Sequence, residues 1–385
     1  MENAEKYVRV HPKFRLNGVH YSIEKLKALA YGFIKEGEPY EEAVGSFILD
    51  WLNDKRYVTV STSGSTGAPK AIRLLKIHMV NSARATAKHF DLPEKTTALL
   101  CLPTDFIAGK MMLVRAMVLG WHLDMAQPKS NPLDNVFRRY DFCAMTPFQL
   151  DNSLSRMHLL KKLIVGGGSV SPSLKRRLRD ISTKIYETYG MTETITHIAS
   201  RRVNPKKNKE RSPSFKTLSN VTISSDERGC LVIKAPKVST DPVITNDLVE
   251  VETYKRFIWL GRIDNVINSG GVKLHPEQIE EKLASMIDSP FFVAGIPDEK
   301  LGEILTLFIE QEEAFATSVV METSRLSSDF VETDYDANDF GPYEFPKTVI
   351  TLERFERTEN GKLQRGQTVK KFLAEQDSEN HLPSS

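Results

Sequence analysis

Short apolar runs alternate with segments of helical periodicity between residues 56 and 200 of the chain. The apolar runs predict strands at Tyr57–Ser61, Ala98–Leu102, His122–Ala126, Phe142–Met145, Lys162–Val165 and Lys184–Thr188. Helical patterns lie between them at Ile77–Phe90, Gly109–Leu119 and Ser171–Ile181. This alternation is typical of a largely parallel sheet that is covered by helices. One strand and two helices in residues 1–55 are expected to extend the same layer.

The pattern changes after residue 200, where short strands separated by turns replace the alternation. These β-rich pieces predict a small β subdomain, at Val221–Ile223, Leu231–Ile233, Pro242–Val251 and Phe257–Leu260. A helix that begins near Pro276 and strands near Phe291–Gly295 and Ile304–Ile309 follow. We therefore predict an α/β protein. Residues 1–262 form a large N-terminal domain with mostly parallel sheet layers plus the small β subdomain, and residues 263–385 form a small α+β C-terminal domain.

Composition and charge exclude several classes of protein. Of the 385 residues 40% are hydrophobic and 26% are charged, which argues against a disordered or collagen-like chain. The net charge of +2 gives no reason to expect nucleic acid. The basic segment 201–211 keeps nucleic-acid binding open as a minor alternative, although it has no interleaved aromatic residues. No feature of the sequence predicts an oligomeric state.

The cysteines and the apolar runs of the sequence indicate the cellular compartment of the protein. The three cysteines lie far apart and form no C-x-x-C, so we expect neither a disulfide framework nor a cysteine zinc site. The longest apolar stretch, Met111–Trp121, is interrupted by Arg115 and is too short to span a membrane. We therefore expect a cytoplasmic protein without a membrane partner.

A loop rich in glycine and hydroxyl groups follows the first strand of the alternating region. Its two glycines allow a sharp turn and close approach to a ligand, while backbone N–H groups, hydroxyls and a lysine form an anion cradle. The spacing matches neither a Walker loop nor a nucleophile elbow. The alternative is a flexible turn. The candidate phosphate-binding residues are Ser61, Thr62, Ser63, Gly64, Ser65, Thr66, Gly67 and Lys70.

This loop resembles the phosphate-binding signature of the adenylate-forming superfamily, which includes acyl-CoA synthetases, adenylation domains and luciferases. Further motifs of that superfamily follow in the same order along the chain. They are Leu163-Ile-Val-Gly-Gly-Gly168, Tyr189-Gly-Met-Thr-Glu193, Asn246-Asp247 with Gly261-Arg-Ile-Asp264, Asn268-Ser-Gly-Gly271 and Arg357-Thr-Glu-Asn-Gly-Lys362.

The resemblance implies a role for each of these motifs. Thr192 is expected to contact the adenylate phosphate, Glu193 to help hold Mg²⁺, and Lys362 to be the catalytic lysine. Asp264 matches the hinge about which a mobile C-terminal lid rotates, and Gly270 and Gly271 match the tunnel for coenzyme A. The remaining expected ATP- or AMP-binding residues are Gly166, Gly167, Gly168, Tyr189, Gly190, Met191, Asp247 and Arg262.

The resemblance further implies an enzyme that uses ATP, Mg²⁺ and coenzyme A to convert a carboxylic acid into a thioester through an acyl-adenylate. Short chains of this kind resemble the o-succinylbenzoate–CoA ligases of menaquinone synthesis. Phe106 stands where those ligases have a histidine, and Asn246 where the superfamily usually has glycine. Other acyl or aryl acids stay open as substrates.

The candidate acid-binding residues lie on the segment that begins at Leu102. They are Phe106, Gly109, Lys110 and Arg115. A second carboxylate on the acid needs a cationic or hydrogen-bonding partner in a buried pocket. Arg115 is favoured over Lys110 because it shares an apolar helical stripe with Met111 and Met112. A buried structural ion pair is the alternative for Arg115.

Overall fold

The structure is a computed structural model that describes residues 9–62, 70–205, 212–284, 286–287, 289–311, 318–319, 340–341, 343–346, 348–357 and 363–380. Its helices are α1 (Ile23–Glu36), α2 (Pro39–Leu52), α3 (Lys76–Phe90), α4 (Ile107–Leu119), α5 (Pro147–Asn152), α6 (Pro172–Arg177), α7 (Pro276–Leu283) and α8 (Arg365–Asn380). Among the described residues, no helix is long and apolar enough to cross a membrane.

The strands of the first 262 residues follow the predicted alternation closely. They are β1 (Arg15–Leu16), β2 (Tyr57–Thr62), β3 (Lys70–Leu75), β4 (Thr97–Leu100), β5 (His122–Met125), β6 (Tyr140–Met145), β7 (Leu160–Val165), β8 (Lys184–Gly190), β9 (His197–Arg202), β10 (Phe215–Thr217), β11 (Thr222–Ser225), β12 (Cys230–Lys234), β13 (Val243–Thr253) and β14 (Arg256–Arg262). The later strands are β15 (Ile267–Ser269), β16 (Val272–Leu274), β17 (Phe291–Asp298), β18 (Gly302–Glu310), β19 (Ser318–Val319) and β20 (Thr348–Leu352).

Twelve strands form one continuous sheet in the order β1-β5-β4-β6-β7-β8-β9-β10-β14-β13-β12-β11. The strands from β1 to β8 in this order are parallel, and those from β8 to β11 are antiparallel. The α/β fold class is therefore confirmed. The predicted β subdomain is the antiparallel half of this sheet, because β9 turns back to pair with the edge of β8.

Two expectations for the N-terminal region need correction. The strand at Tyr57 pairs antiparallel with β3 in a separate two-stranded sheet, so it does not belong to the parallel sheet. The helix expected over Ser171–Ile181 is only the six-residue α6, because the chain turns back toward β8 after Arg177.

A six-stranded sheet follows, with the order β16-β15-β18-β20-β19 and β17 paired to β18. The twelve-stranded sheet ends at Arg262 and this smaller sheet begins at Ile267. The boundary predicted at residues 262 and 263 falls in the connection between them. The division of the chain into two domains at this boundary stays a prediction. Most of the polar stretch 311–340 lies outside the described residues.

Helix α4 lies at the centre of the larger core. Apart from Lys110 and Arg115 its residues are apolar or small on all sides, which is typical of a helix buried on most of its faces. Met111, Met112 and Leu113 are fully buried together with Trp121, and α4 packs against α3 and β4. A second cluster that includes Leu163 and Ile185 is separate from this one. Ile164 of β7 belongs to the first cluster and Leu163 to the second, so this strand is buried on both of its faces.

Candidate active site

The carboxyl ends of β7 and β8 bring two of the predicted motifs together. These strands are parallel neighbours, with Val165 opposite Glu187, and ligands bind at such strand ends in α/β sheets. The Thr188 hydroxyl donates to the carbonyl of Val165 at 2.9 Å. A Cβ at Gly166 would lie 2.8 Å from that hydroxyl oxygen, so a larger residue there would have to displace the Thr188 side chain. Gly167 has a φ of +83°, which turns the chain away from the strand.

Residues 191–196 form a tight turn between β8 and β9 and carry Thr192 and Glu193. The Thr194 hydroxyl is within hydrogen-bond distance of three backbone groups of this turn, at 3.1 Å, 3.0 Å and 2.8 Å. Ile195 has a φ of +67°, a strained conformation for a β-branched residue. A Cβ at Gly190 would come within 2.4 Å of the backbone of residues 196 and 197. The turn is therefore held in one shape by packing and hydrogen bonds.

Glu193 lies on this turn with its side chain exposed. Mg²⁺ in nucleotide sites is bound through one or two carboxylates together with phosphate oxygens and water. In the described part of the chain, no group of three or more His, Cys, Asp or Glu residues could hold a metal ion. A single exposed carboxylate fits a metal that arrives with the nucleotide phosphates.

Asp247 on β13 is joined to the motif on β8 by a short hydrogen bond. The Tyr189 hydroxyl donates to Oδ2 of Asp247 at 2.6 Å, and Nε1 of Trp259 donates to Oδ1 at 3.2 Å. Burial and the neighbouring Asp247 carboxylate raise the pKa of Tyr189, so the phenol stays protonated and remains a donor. Each carboxylate oxygen retains acceptor capacity for a hydroxyl of a bound ligand. Asp247 is 9% exposed.

Trp259 is a site residue that sequence reasoning missed. It lies three residues before Arg262 on β14, opposite Val249 and near Asp247. A partly buried tryptophan needs a hydrogen-bond acceptor for its N–H group, and a carboxylate on the neighbouring strand is one. No local motif marks Trp259, because Asp247 lies 12 residues earlier in the chain and is brought close only by the pairing of β13 with β14.

A chain of polar contacts connects the β13 motif to Asp264. Arg262 lies opposite Asp247 in the strand register and donates to Oδ2 of Asp264 at 2.5 Å. Nδ2 of Asn246 donates to the two oxygens of Asp264 at 3.2 Å and 3.4 Å, while its own carbonyl oxygen accepts from Arg228 at 3.2 Å. The hydrogen bond from Arg262 lowers the pKa of Asp264. The asparagine that replaces glycine therefore contacts the expected hinge residue directly.

Arg115 is the central residue of the predicted acid-binding group. It is 1% exposed within α4, and burial lowers its pKa to about 9. Its guanidinium contacts the hydroxyl of Thr196 at 3.5 Å and the sulfur of Met112 at 3.7 Å, and its Nε has no hydrogen-bond partner. Within the described residues no carboxylate forms an ion pair with it. The structure thus does not show the buried structural ion pair that was the alternative.

The other three acid-binding candidates lie at the start of α4. Nζ of Lys110 donates to the carbonyls of Thr104 and Asp105, at 2.5 Å and 2.7 Å, so its charge is used by the preceding loop. Phe106 precedes the first residue of α4 and is half-buried. A Cβ at Gly109 would lie 2.2 Å from the carbonyl oxygen of Pro103, so this glycine allows close packing of loop and helix. These contacts describe packing and do not test ligand binding.

Several predicted residues lie outside the described part of the chain. Ser63, Gly64, Ser65, Thr66, Gly67 and Lys362 are all in this group. The phosphate loop joins the ends of β2 and β3, where Thr62 pairs with Lys70, and Ser61 is exposed beside them. An isolated bridge between Arg357 and Leu363 closes the segment that contains Lys362. Gly270 and Gly271, with φ of +58° and +82°, form the turn between β15 and β16.

The first residue of the basic segment is already engaged with protein groups. Nε of Arg201 donates to Glu187 at 2.8 Å, its NH1 donates to the carbonyl of Pro213 at 2.7 Å, and its guanidinium lies 4.4 Å from the ring centroid of Phe215. Glu187 is 3% exposed. These contacts give Arg201 a structural role that does not require nucleic acid. Residues 206–211 of the basic segment lie outside the described part of the chain.

Comparison with known proteins finds similar sequences and structures. A family described as AMP-binding enzyme matches residues 49–225. A crystal structure of an acyl-CoA synthetase (AMP-forming)/AMP-acid ligase II-like protein from Dyadobacter fermentans is 35% identical, with a TM-score of 0.57. The alignment covers 90% of this chain and 98% of that protein.

Two further matches are more distant. The 2-succinylbenzoate–CoA ligase of Staphylococcus epidermidis is 25% identical, and the alignment covers 82% of this chain and 69% of the relative. The structure of O-succinylbenzoate coenzyme A synthetase from Bacillus subtilis with ATP and a magnesium ion has a TM-score of 0.67 and 21% identity. It is covered over 69% of its length by 81% of this chain. At this identity the second likeness concerns the fold.

Proposed function

Because the chain belongs to the AMP-binding enzyme family of adenylate-forming enzymes, we propose that it is an ATP-dependent acid–CoA ligase acting on 2-succinylbenzoate. The reaction forms an acyl-adenylate and then an acyl-CoA thioester. Relatives named for this acid support the assignment, and each is covered over more than two thirds of its length by the present chain. Binding of ATP, Mg²⁺ and coenzyme A belongs to the same proposal.

Buried Arg115 is the observation that carries the choice of acid. A guanidinium inside an apolar core is costly unless an anion pairs with it. 2-Succinylbenzoate has two carboxylates, and only one of them is activated. We place the other carboxylate at Arg115, close to Thr196, at the end of the turn that carries Thr192 and Glu193.

The first half-reaction is assigned to residues at the ends of β7, β8 and β13. The Asp247 carboxylate accepts from the ribose hydroxyls while Tyr189 and Trp259 hold it in position. The phosphate loop and Thr192 bind the phosphates, and Glu193 would hold Mg²⁺, which neutralises phosphate charge when bound. The acid carboxylate attacks the α-phosphorus and pyrophosphate leaves. Lys362 stabilises the charge of that transition state.

The second half-reaction requires a different face of the C-terminal residues. We propose that residues 263–385 rotate about Asp264, which withdraws Lys362 and presents Gly270 and Gly271 to the thiol of coenzyme A. The thiolate attacks the adenylate carbonyl, AMP leaves, and the thioester forms. Such lid movements are common in enzymes that separate two chemical steps. We also propose a cytoplasmic location, supported by the three free cysteines.

The test is ATP–pyrophosphate exchange measured against a panel of acids. We expect exchange with 2-succinylbenzoate at a much lower acid concentration than with benzoate or a medium-chain fatty acid. Coenzyme A should then convert the adenylate to a thioester. Because Phe106 departs from the related ligases, a different aryl acid is the second candidate. A panel in which benzoate is the better substrate would contradict the assignment.

Substitution of Arg115 by methionine separates the choice of acid from the chemistry. We expect the apparent KM for 2-succinylbenzoate to rise at least about tenfold, because the second carboxylate loses its cationic partner. The KM for benzoate should change by less than about twofold, and circular dichroism should confirm the fold. Equal increases for both acids would exclude carboxylate binding at Arg115.

A further inference from the structure

A cavity lies beside the turn that carries Thr192 and Glu193, with Thr194 in its lining. Its volume is about 230 Å³, and it is enclosed by α3, by the start of β9 and by the turns that follow β10 and β12. Nδ2 of Asn81 donates to the carbonyl of Lys237 at 3.0 Å and joins two of these walls. Arg115 does not line this cavity, so the space differs from the position proposed for the second carboxylate.

Three cations surround this cavity. Arg84 and Lys88 lie one helical turn apart on α3, and Lys237 lies in the turn after β12; all three are exposed. Among the described residues, none that lines the cavity is acidic and none forms an ion pair with these cations. Like charges one turn apart on a helix repel each other. A bound anion would remove that repulsion.

The deeper lining is buried and is partly apolar. Thr194, His197 and Ser82 are buried beside the aliphatic side chains of Leu218 and Val238. Inorganic phosphate would leave the aliphatic surface unused. The volume is below that of typical cavities for drug-sized ligands, so it suits a molecule with one small ring. The lining therefore combines a cationic opening with a mixed polar and apolar interior.

We propose that this cavity binds a small aromatic carboxylate, with the carboxylate at Arg84, Lys88 and Lys237 and the ring in the buried interior. The occupant would contact Thr194 in the turn of residues 191–196 and His197 at the start of β9. The Thr194 hydroxyl fixes that turn through its backbone hydrogen bonds, so a ligand against it restrains the same residues. The source of the carboxylate is either the acid substrate at a second position or another aryl acid.

Benzoate is the probe, and benzamide is its neutral counterpart. Calorimetric titration of the full chain should detect benzoate binding, and benzamide should bind at least about fivefold more weakly because it cannot pair with the cations. The double variant Arg84→Glu/Lys88→Glu should weaken benzoate binding by about tenfold or more. The control variant Lys27→Glu/Lys35→Glu makes the same charge change on exposed positions of α1 and should bind normally.

Hydrogen exchange then locates the bound probe without any use of ATP or coenzyme A. We expect benzoate to protect the peptide that contains residues 194–198 in the wild-type and control proteins, and not in the Arg84→Glu/Lys88→Glu variant. Repetition with 2-succinylbenzoate distinguishes the substrate as the source from another aryl acid. Equal binding of benzamide, unchanged binding by the charge-reversal variant, or protection confined to α4 would each overturn the proposal. None of these outcomes depends on ligase activity.

Discussion

The hydroxyl group of Tyr189 connects the motif on β8 with the carboxylate of Asp247 on β13. Both oxygens of that carboxylate already accept hydrogen bonds from protein groups, from Tyr189 and from Trp259. The carboxylate is therefore oriented before a nucleotide arrives. A ligand does not have to order this side chain, which lowers the entropic cost of binding.

Removal of that hydroxyl should weaken ATP binding with little effect on folding. For Tyr189→Phe we expect the KM for ATP to rise about fivefold to tenfold, equivalent to the roughly 1–1.5 kcal/mol of one hydrogen bond. Pyrophosphate exchange with ATP as the varied substrate measures it. The control is Tyr254→Phe, since Tyr254 is exposed and remote from Asp247 in its contacts. An unchanged KM would show that the phenol does not position Asp247.

His197 makes stability depend on pH. Burial, and secondarily the charge of Arg115, lowers the pKa of His197 well below its usual 6.5. The folded protein therefore keeps this imidazole neutral while the unfolded chain takes up a proton below pH 6.5. The unfolded state binds more protons in that range, so the free energy of unfolding falls as the pH falls.

The expected size of this effect follows from the proton linkage. Between about pH 7.5 and about pH 5.5, His197 should contribute a loss of about 1.4 kcal/mol in the free energy of unfolding. Urea titrations of wild type and His197→Gln measure this as a difference in pH dependence. The matched control is His158→Gln at an exposed position. A pH dependence that is identical in wild type and His197→Gln would refute the interpretation.

Sequence reasoning found the chemistry-bearing residues of the motifs but not the groups that support them. Asp247, Tyr189 and Arg115 were singled out from their motifs and pattern, and the structure places Tyr189 against Asp247. Trp259 and His197 were missed, because each acts through a neighbour that is far away in the sequence. Which side chain lies opposite depends on strand register and on turn shape, and neither is encoded in a local motif.

The turn between β8 and β9 sets the relation between the parallel and antiparallel halves of the sheet. Gly190 pairs with His197 at the point where β9 reverses direction. The backbone of residues 196 and 197 approaches so closely that no side chain fits at Gly190. This one residue allows both the reversal and the projection of Thr192 and Glu193 from the sheet.

A methyl group at Gly190 should therefore disrupt the turn. We expect Gly190→Ala to lower the free energy of unfolding by about 2–4 kcal/mol, since overpacking displaces backbone here. Chemical denaturation measures the change. Gly32→Ala is the control, because that glycine lies within α1 with open space around it and alanine favours a helix by up to about 1 kcal/mol. Equal stability of both variants would contradict the packing argument.

The alternation of apolar runs predicted most strands of the larger sheet to within a few residues. Two features at this scale could not be predicted. The antiparallel strands were predicted to form a separate subdomain, because a local pattern does not indicate that β9 pairs with β8 and continues the same sheet. The strand at Tyr57 precedes the alternating strands directly and is predicted as one of them, but its hairpin partner begins only at Lys70, beyond the glycine-rich loop.

Contacts across the expected domain boundary link several motifs of the whole molecule. Glu277 at the start of α7 lies against Gly261, where a Cβ would come within 2.3 Å of the glutamate oxygen. Nη1 of Arg365 forms an ion pair with Glu277 at 2.9 Å, and its Nη2 forms one with Glu280 at 2.6 Å. Nη2 of Arg176 on α6 donates to the carbonyl of Ala284 at 3.1 Å. Arg365, three residues after Lys362 in the sequence, therefore connects the last motif to α7.

Loss of the Arg365 cation should destabilise the smaller sheet and its helices. Burial raises the pKa of Glu280 to about 7 despite the nearby arginine. For Arg365→Met we expect a loss of about 3 kcal/mol, because Glu277 and Glu280 both lose their ion pair with this arginine. The double variant Arg365→Met/Glu280→Gln should recover about half of that loss. Urea denaturation measures both, and a double variant no more stable than the single one would disprove this account.

The positive φ of Ile195 has a consequence for the stability of the turn of residues 191–196 toward heat. Glycine would adopt this conformation with less strain, but Ile195 is 1% exposed and packs in the larger core. Replacement by glycine would relieve about 1–3 kcal/mol of backbone strain but remove about 2–5 kcal/mol of core packing, so we expect a net loss of heat tolerance. The buried isoleucine thus anchors the turn of residues 191–196, which carries Thr192 and Glu193, to the core of the sheet.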